Sequence, residues 1–503
     1  MTEQFPIAST GAQQPSSPSP AWGGQGGGLV TEKIVLAYSG GLDTTVAVKW
    51  LIEERGFDVV ALTIDLGSQP DLAAIRQRAL SAGASRAYVL DARAPFIGRF
   101  CWPALRAGAL YQGQYPLATA LGRPLIAQLL VEVAAREGAS WIAHGSTGKG
   151  NDQVRFDVAT GALAPHLKVL APLRDGMSMT REEEIAYARA HQLPIDVRPE
   201  SPYSVDENLW GRSIEAGVLE DALLIPPEDA FRWTSSVDNA PASSLLVELD
   251  FEKGIPTTLD GALFPSPSGG GPADVFPSSG GGPADVFPSP SGGGLDGGVS
   301  LVADLNRIGG LHGVGRIDMI EDRFVGIKSR EVYEAPAAVI LHAAHRALED
   351  LVLDGEAARF KTSVAQEYAR LVYQGKWFTS HRRDLDAYVL STQQLVTGRV
   401  RVKLHKGTAQ VVGRSSPYSL YRPKLATYSA GDQFDHQAAV GFIKLVGLPV
   451  RTQAEVQGIA ETEPLLEDDR HVVEVGPGSL EGRLAEPVLR AAVPGVVDAD
   501  LRR

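Results

Sequence analysis

The stretch KIVLAYSGGLDTT, residues 33–45, carries the pattern that decides the fold. Residues 34–36 form a continuous apolar run, which is typical of a strand buried on both faces. The chain then turns at residues 39–41, and from Leu42 apolar side chains recur with helical spacing until Gly56. A buried strand that leads through a glycine turn into a helix predicts the first unit of a parallel α/β sheet.

The same alternation continues through the first two hundred residues. The sequence predicts strands at 58–64, 87–90 and 141–143 and helices at 71–82 and 117–137. This order predicts the fold class α/β, with a doubly wound parallel sheet. Ligands of such sheets lie at the carboxyl ends of the strands. We therefore expect the loops after Tyr38 and Ala143 to share one rim.

The pattern changes after about Pro202. Shorter strands are predicted at 246–251, 323–327, 400–404 and 410–412, and helices at 337–353 and 363–374. This predicts a second, α+β domain over 203–451, after a first domain over 31–202. Residues 452–503 are predicted to be a C-terminal helix and tail.

Two segments have a composition that disfavours a packed core. Residues 1–30 are rich in Pro, Ser, Gln and Gly and are predicted to be a disordered extension. Between 265 and 294 the sequence repeats PSPSGGGPADVF, PSSGGGPADVF and PSPSGGG, which predicts a flexible low-complexity insert. Its deletion is expected to leave turnover almost unchanged, because insertions in surface connections cost little.

Charge and cysteine content exclude several classes of protein. Lys and Arg minus Asp and Glu gives 47 − 60 = −13, so nucleic acid and anionic membranes are poor partners. Cys101 is the single cysteine, which excludes an intrachain disulfide and a CxxC pair. Residues 1–28 contain no Lys or Arg and resemble no targeting peptide. We expect a soluble cytoplasmic protein.

The turn AYSGGLDTT, residues 37–45, predicts a phosphate site. Its two glycines allow close approach of an anion, its hydroxyls supply donors, and the helix N-terminus adds free N–H groups. The alternative is an ordinary helix start satisfied by Asp43 and the threonines. Neither GxGxxG nor the Walker A pattern is present.

The turn HGSTGKGNDQ, residues 144–153, is the second candidate site. It follows a predicted strand and carries Thr147, Asn151, Asp152 and, just beyond it, Arg155. So many different donors and acceptors on one turn favour a ligand-binding loop over a plain capped turn.

Together these loops resemble the argininosuccinate synthase family. The resemblance extends to long stretches in the same order, at 37–44, 109–127, 144–156, 201–221, 312–336 and 413–421. It implies an AMP-forming ligase that condenses L-citrulline with L-aspartate at the expense of ATP, with Mg²⁺ accompanying the nucleotide. It also implies an ATP-binding first domain, a synthetase domain and a homotetramer joined partly through the C-terminal segment.

The resemblance implies a role for individual residues. Asp43 and Asp152 are the catalytic candidates. ATP is assigned to Ala37, Tyr38, Ser39, Gly40, Gly41, Leu42, Asp43, Thr44, Thr45, Ile64 and Gly145. Aspartate is assigned to Thr147, Asn151 and Asp152. Citrulline is assigned to Tyr115, Thr119, Ala120, Asn151, Arg155, Ser204, Ser213, Glu321 and Tyr333. One family position is often Ser where this chain has Ala120, and the Thr119 hydroxyl is a candidate replacement.

Other signals favour simpler interpretations. His342 and His345 share a helix face without a third metal ligand at convincing spacing, so no metal site is predicted. Related glutamine-dependent enzymes need a nucleophilic cysteine in a glutaminase domain, whereas Cys101 lies inside the nucleotide-binding domain. Related tRNA-thiolating enzymes need reactive cysteines and a basic surface, and this chain is predicted to have neither. A non-catalytic nucleotide-binding or sensor protein that retains the fold stays open as the alternative function.

Overall fold

The computed structural model describes residues 31–68, 71–148, 150–177, 179–195, 202–260, 262–263 and 295–458. The predicted N-terminal extension, the repeat insert and most of the C-terminal tail lie outside the described residues.

The first part of the chain forms a five-stranded parallel sheet. Its strands are β1 (Lys33–Ala37), β2 (Asp58–Asp65), β3 (Arg86–Asp91), β4 (Trp141–Ala143) and β5 (Lys168–Leu170). They lie in the order β3-β2-β1-β4-β5. The helices are α1 (Leu42–Glu53), α2 (Leu72–Ser81), α3 (Arg93–Phe96), α4 (Trp102–Ala107), α5 (Ala118–Glu137), α6 (Asp152–Leu163), α7 (Pro172–Asp175) and α8 (Arg181–Ala190).

Alternate side chains of β1 explain why helices cover both faces. Ile34 and Leu36 pack into the cluster formed with α1, α2 and α8. Val35 points to the other face and packs with α5 and α6. All three side chains are fully buried. The apolar run at residues 34–36 is therefore a central strand of a doubly wound sheet, as the sequence predicts.

Two antiparallel sheets follow. Their strands are β6 (Ser204–Asn208), β7 (Gly211–Glu215), β8 (Leu245–Glu252), β9 (Ile255–Leu259), β10 (Ala262–Leu263), β11 (Arg316–Asp322), β12 (Lys328–Glu334), β13 (Gly398–His405) and β14 (Thr408–Ser415). One sheet has the order β10-β9-β8-β13-β14 and the other β11-β12-β7-β6. The helices are α9 (Leu295–Leu311), α10 (Pro336–Val352), α11 (Gly355–Tyr373) and α12 (Ser380–Thr392). The predicted fold class is confirmed.

The prediction of a strand at 323–327 is wrong. These residues form the turn between β11 and β12, closed by the hydrogen bond from the Arg323 amide to the Ile327 carbonyl at 2.9 Å. Gly326 has φ +91°, a left-handed conformation that interrupts an extended run. The apolar residues Val325 and Ile327 are exposed instead of forming a strand. The sequence does not predict the hairpin β6–β7, because most of its side chains are polar and give no clear alternation of apolar and polar residues.

The described chain separates into two compact units, one up to Arg422 and one from Pro423. The second unit contains α13 (Pro423–Ala426), α14 (His436–Val446) and α15 (Leu448–Gln457). The boundaries predicted at 202 and 451 do not coincide with this division and stay predictions.

Among the described residues, one helix is long and apolar enough to span a bilayer by composition alone, namely α5. However, 61% of its apolar window is buried inside the protein. It packs directly on the parallel sheet, where Leu130 and Val133 are fully buried. This burial explains its hydropathy.

Candidate active site

The loop after β1 presents hydroxyls and an open helix end. The Ser39 and Thr44 hydroxyls lie 3.1 Å apart, and Gly40 has φ +80°. The Thr45 hydroxyl donates inward to the Gly41 carbonyl at 2.7 Å. At the N-terminus of α1, Gly41 is the cap residue and contributes no capping side chain. The first backbone amides of α1 therefore receive no hydrogen bond from a capping side chain at Gly41. Such open amides are suited to binding an anion.

The second loop leaves β4, which pairs directly with β1. His144 is 1% exposed, stacks on Phe156 with 4.8 Å between ring centroids, and lies 3.0 Å from the Asp157 carboxylate. Gly145 then packs against α1: a β-carbon on it would lie 3.1 Å from Cγ2 of Thr44. The two loops therefore lie side by side on one rim, as the strand order predicts.

A cavity of about 360 Å³, which we call the rim cavity, opens between these loops. Eight predicted residues line it, namely Ala37, Tyr38, Ser39, Thr44, Ile64, Gly145, Thr147 and Asp152. Five others of the first loop do not line it, namely Gly40, Gly41, Leu42, Asp43 and Thr45. Among these, Thr45 is fully buried behind the loop and holds it through the Tyr38 hydroxyl at 2.9 Å.

Asp43 faces α8 instead of the rim cavity. Its carboxylate is hydrogen bonded to the buried carboxyl of Glu184. Burial and the neighbouring Asp43 charge raise the pKa of Glu184 to about 8. The catalytic role of Asp43 stays a prediction.

A second cavity of about 90 Å³, the inner cavity, adjoins the first. The predicted residues that line it are Tyr115, Thr119, Asn151, Asp152, Arg155, Ser213, Glu321 and Tyr333. Ala120 is fully buried and Ser204 is exposed at the start of β6, and neither lines the inner cavity. The Thr119 hydroxyl lies 2.8 Å from that of Tyr115, and its replacement of a hydroxyl at position 120 stays a prediction.

Asp152 lines both cavities, as do Gly150, Asp206 and Glu215. Its carboxylate accepts hydrogen bonds from Arg123 and Arg155, at 2.7 and 2.8 Å. Burial alone would raise the pKa of Asp152, but the two guanidinium groups outweigh burial and lower it. Asp206 bonds to the same Arg123, yet burial and the Asp152 charge raise its pKa. The two arginines thus favour the ionised form of Asp152 in the wall between the cavities.

Glu321 is the second carboxylate of the inner cavity and is 3% exposed. The Tyr333 hydroxyl donates to its Oε2 at 2.5 Å, and the Tyr333 ring stacks on Tyr115 at 4.2 Å. Burial raises the pKa of Glu321 above its usual value, although the tyrosine hydrogen bonds oppose the rise. A buried carboxylate that lines a cavity is suited to an ammonium group.

A larger cavity of about 700 Å³ lies elsewhere, between α10 and α11, and none of the predicted site residues lines it. Burial lowers the pKa of His342, which lines it, to about 3. His345 bonds to the Gln393 side chain at 2.8 Å. Within the described residues no three His, Cys, Asp or Glu side chains gather as a metal site.

Two family models match this chain. The model "Arginosuccinate synthase N-terminal HUP domain" matches residues 33–194, and "Arginosuccinate synthase C-terminal domain" matches 203–453. An argininosuccinate synthase of Chlorobium phaeobacteroides (strain BS1) is 50% identical over 85% of this chain and 98% of its own. This chain belongs to the argininosuccinate synthase family.

Other proteins named argininosuccinate synthase show similar identity and coverage. The protein of Pelodictyon phaeoclathratiforme is 50% identical over 84% of this chain and 98% of its own. That of Dehalococcoides mccartyi strain 195 is 49% identical over 86% of this chain and 99% of its own. Among solved structures, the U34-tRNA thiolase NcsA of Methanococcus maripaludis aligns over 36% of this chain and 63% of its own. Its identity of 17% and TM-score of 0.22 are too low to bear on fold or function.

Several residues around the cavities of this argininosuccinate synthase family member were not predicted. They are Arg123, Asp206, Glu215, Arg323, Glu331 and Tyr373. Arg123, Asp206 and Glu215 lie inside the stretches 109–127 and 201–221 that carry the resemblance, so their charge could have drawn attention. Tyr373, at the end of α11, has no local signal and reaches the site only through the tertiary fold.

Proposed function

We propose that this chain catalyses the ATP-dependent condensation of L-citrulline with L-aspartate, forming argininosuccinate, AMP and pyrophosphate. The observation that carries the proposal is the common wall of the two cavities. The rim cavity meets the phosphate loop on one side and Asp152 on the other, and the inner cavity joins it at the same carboxylate. Two molecules bound in these cavities would therefore meet at the wall.

In the first step the citrulline ureido oxygen attacks the α-phosphorus of ATP. An oxygen–phosphorus bond forms, and the bond to pyrophosphate breaks. The loop 38–45 and the start of α1 hold the phosphates, and the Ser39 and Thr44 hydroxyls lie at the cavity surface to meet them. A urea oxygen is a weak nucleophile, so positioning contributes most of the rate acceleration.

In the second step the aspartate ammonium group loses a proton to solvent, and the free amine attacks the adenylated ureido carbon. A carbon–nitrogen bond forms, and AMP leaves as the carbon–oxygen bond breaks. We assign the aspartate to Thr147, Asn151 and Asp152 of the second loop. The Asp152 carboxylate stays ionised beside two arginines and has lone pairs left for the substrate ammonium group. Glu321 holds the citrulline ammonium group in the inner cavity, where Tyr115 and Thr119 supply hydroxyls.

We assign the remaining predicted contacts in the same way. Ile64, on β2, meets the nucleotide base from the floor of the rim cavity. Asn151, Arg155 and Ser213 face citrulline from the inner cavity. The substrate is ATP with its accompanying Mg²⁺, which screens the phosphate charge.

We further propose a cytoplasmic homotetramer. The apolar residues Phe442, Ile443 and Leu445 of α14 are 67%, 66% and 73% exposed. Contiguous exposed apolar side chains of this size favour burial against another chain. Light scattering of the purified protein should give the mass of four chains, and a monomer at micromolar concentration would contradict the assembly.

The purified protein with MgATP should form AMP and pyrophosphate only when both citrulline and aspartate are supplied. A binding protein that merely retains the fold would hold ATP and release no pyrophosphate under these conditions. Formation of AMP with glutamine or tRNA in place of the two amino acids would overturn the assignment.

A further inference from the structure

We propose that Tyr373 is a positioning residue of the citrulline pocket, whose hydroxyl holds the Glu321 carboxylate and the Asn151 amide in their binding orientation. The inference rests on the proposed function, since it concerns the same pocket. Tyr373 ends α11 and is 1% exposed. It is separated from Asn151 by 222 residues of sequence, so only the fold brings the two together.

The hydroxyl of Tyr373 joins two polar groups in a fixed direction. It accepts a hydrogen bond from Nδ2 of Asn151 at 2.8 Å and donates one to Oε1 of Glu321. The other end of the Asn151 amide is also fixed, because its Oδ1 accepts the amide hydrogen of Phe324 at 2.9 Å. The asparagine therefore cannot rotate its amide without losing both bonds.

Glu321 is held from two sides. Tyr373 donates to Oε1, while Tyr333 donates to Oε2 at 2.5 Å. Each carboxylate oxygen thus has one tyrosine donor, which fixes the plane of the carboxylate while leaving lone pairs for a substrate. Hydrogen bonds to a charged acceptor are stronger than neutral ones, so each donor contributes to orientation and to ionisation.

The ring of Tyr373 is held independently of its hydroxyl. It stacks on Tyr111 with 3.6 Å between centroids and 3° between planes. The Arg155 guanidinium lies 4.8 Å from the ring centroid, and its Nε donates to the Tyr373 carbonyl at 2.9 Å. Replacement by phenylalanine should therefore leave the ring in place and remove only the hydroxyl.

Removal of the Tyr373 hydroxyl should also change the pKa of Glu321, which depends on the charged groups around it. Glu331 is a neighbouring carboxylate that raises the pKa of Glu321, and Arg155 is the cation that lowers it. The tyrosines facing Glu321 are Tyr111, Tyr115, Tyr333 and Tyr373. Loss of the Tyr373 donor raises the pKa of Glu321 further, so the carboxylate becomes protonated at a higher pH than in the wild type.

The test compares Tyr373→Phe with Tyr368→Phe. Tyr368 lies on the same helix, is fully buried, and donates its hydroxyl to the Asp386 carboxylate at 2.8 Å, outside both cavities. For Tyr373→Phe we expect the KM for citrulline to rise by about tenfold, with the KM for ATP within about twofold. The acid limb of kcat/KM for citrulline should move to higher pH. Tyr368→Phe should change neither quantity.

The outcomes separate the two proposals. If the wild type forms no AMP from citrulline and aspartate, the proposed function fails, and this inference fails with it. If the wild type is active and Tyr373→Phe gives the same citrulline KM and pH profile as Tyr368→Phe, the positioning role alone is overturned. A Tyr373→Phe protein that does not fold would likewise overturn it, since the hydroxyl would then be structural.

Discussion

Gly145 lies so close to Thr44 that a β-carbon on the glycine would come within 3.1 Å of the threonine methyl group. This contact joins the loop after β4 to the first turn of α1, and both residues line the rim cavity. A side chain at position 145 would therefore force Thr44 or its loop to shift.

Gly145→Val should push the loops apart and weaken ATP binding by about tenfold, because overpacking at a tight contact costs on the order of 1–3 kcal/mol. The matched control is Gly148→Val in the same loop, where the nearest atom to an added β-carbon is 3.9 Å away. Titration calorimetry with ATP would measure both. Equal affinities in the two variants would contradict the importance of this contact.

Asp152→Asn should separate the two chemical steps. The amide keeps the shape of the side chain but loses the charge that we assign to the aspartate ammonium group, so the KM for aspartate should rise about tenfold or more. Citrulline-dependent exchange of pyrophosphate into ATP needs no aspartate and should stay within about threefold of the wild type. If exchange falls as far as aspartate use, the assigned role is wrong.

Glu184→Gln should make thermal stability less dependent on pH. The pKa of Glu184 is raised from 4.5 to about 8 in the folded protein. Between these values the folded chain keeps a proton that the unfolded chain has lost, so folding stability falls as pH rises. Glutamine has no proton to lose. The variant should therefore melt about 2 °C above the wild type at pH 9 and almost together with it at pH 5.

Differential scanning fluorimetry across pH 5 to 9 measures this effect. Glu182→Gln is the control, because Glu182 lies in the first turn of the same helix and is exposed. A wild-type-like pH dependence in Glu184→Gln would mean that Glu184 carries no raised pKa.

The antiparallel part of the chain illustrates the limits of local pattern. Strand β13 was predicted because its apolar residues alternate, and Val400, Val402 and Leu404 are fully buried. The pattern RFVGI at 323–327 looked similar, but a glycine with positive φ turns the chain there. Alternation indicates a strand only where one face meets a core, and sequence alone does not reveal which segments do.

The first candidate loop, residues 37–45, could be predicted because its structure depends on local sequence. Residues 33–45 contain a buried strand, a glycine turn and a helix start in one short segment, so local chemistry specifies the loop. The inner cavity has no such segment. Tyr115, Glu321 and Tyr373 come from parts of the chain that are far apart, and each is an ordinary residue in its own neighbourhood.

By itself the sequence determined the parallel sheet, the two loops at its rim and, through long motifs, the family. Periodicity and turn chemistry are local, and they act over the few residues that make one element. The tertiary structure alone decided that Tyr373 reaches Glu321, that Asp43 turns to Glu184, and that Asp152 stands between two cavities. Those relations depend on how distant elements pack, and no short segment encodes the packing.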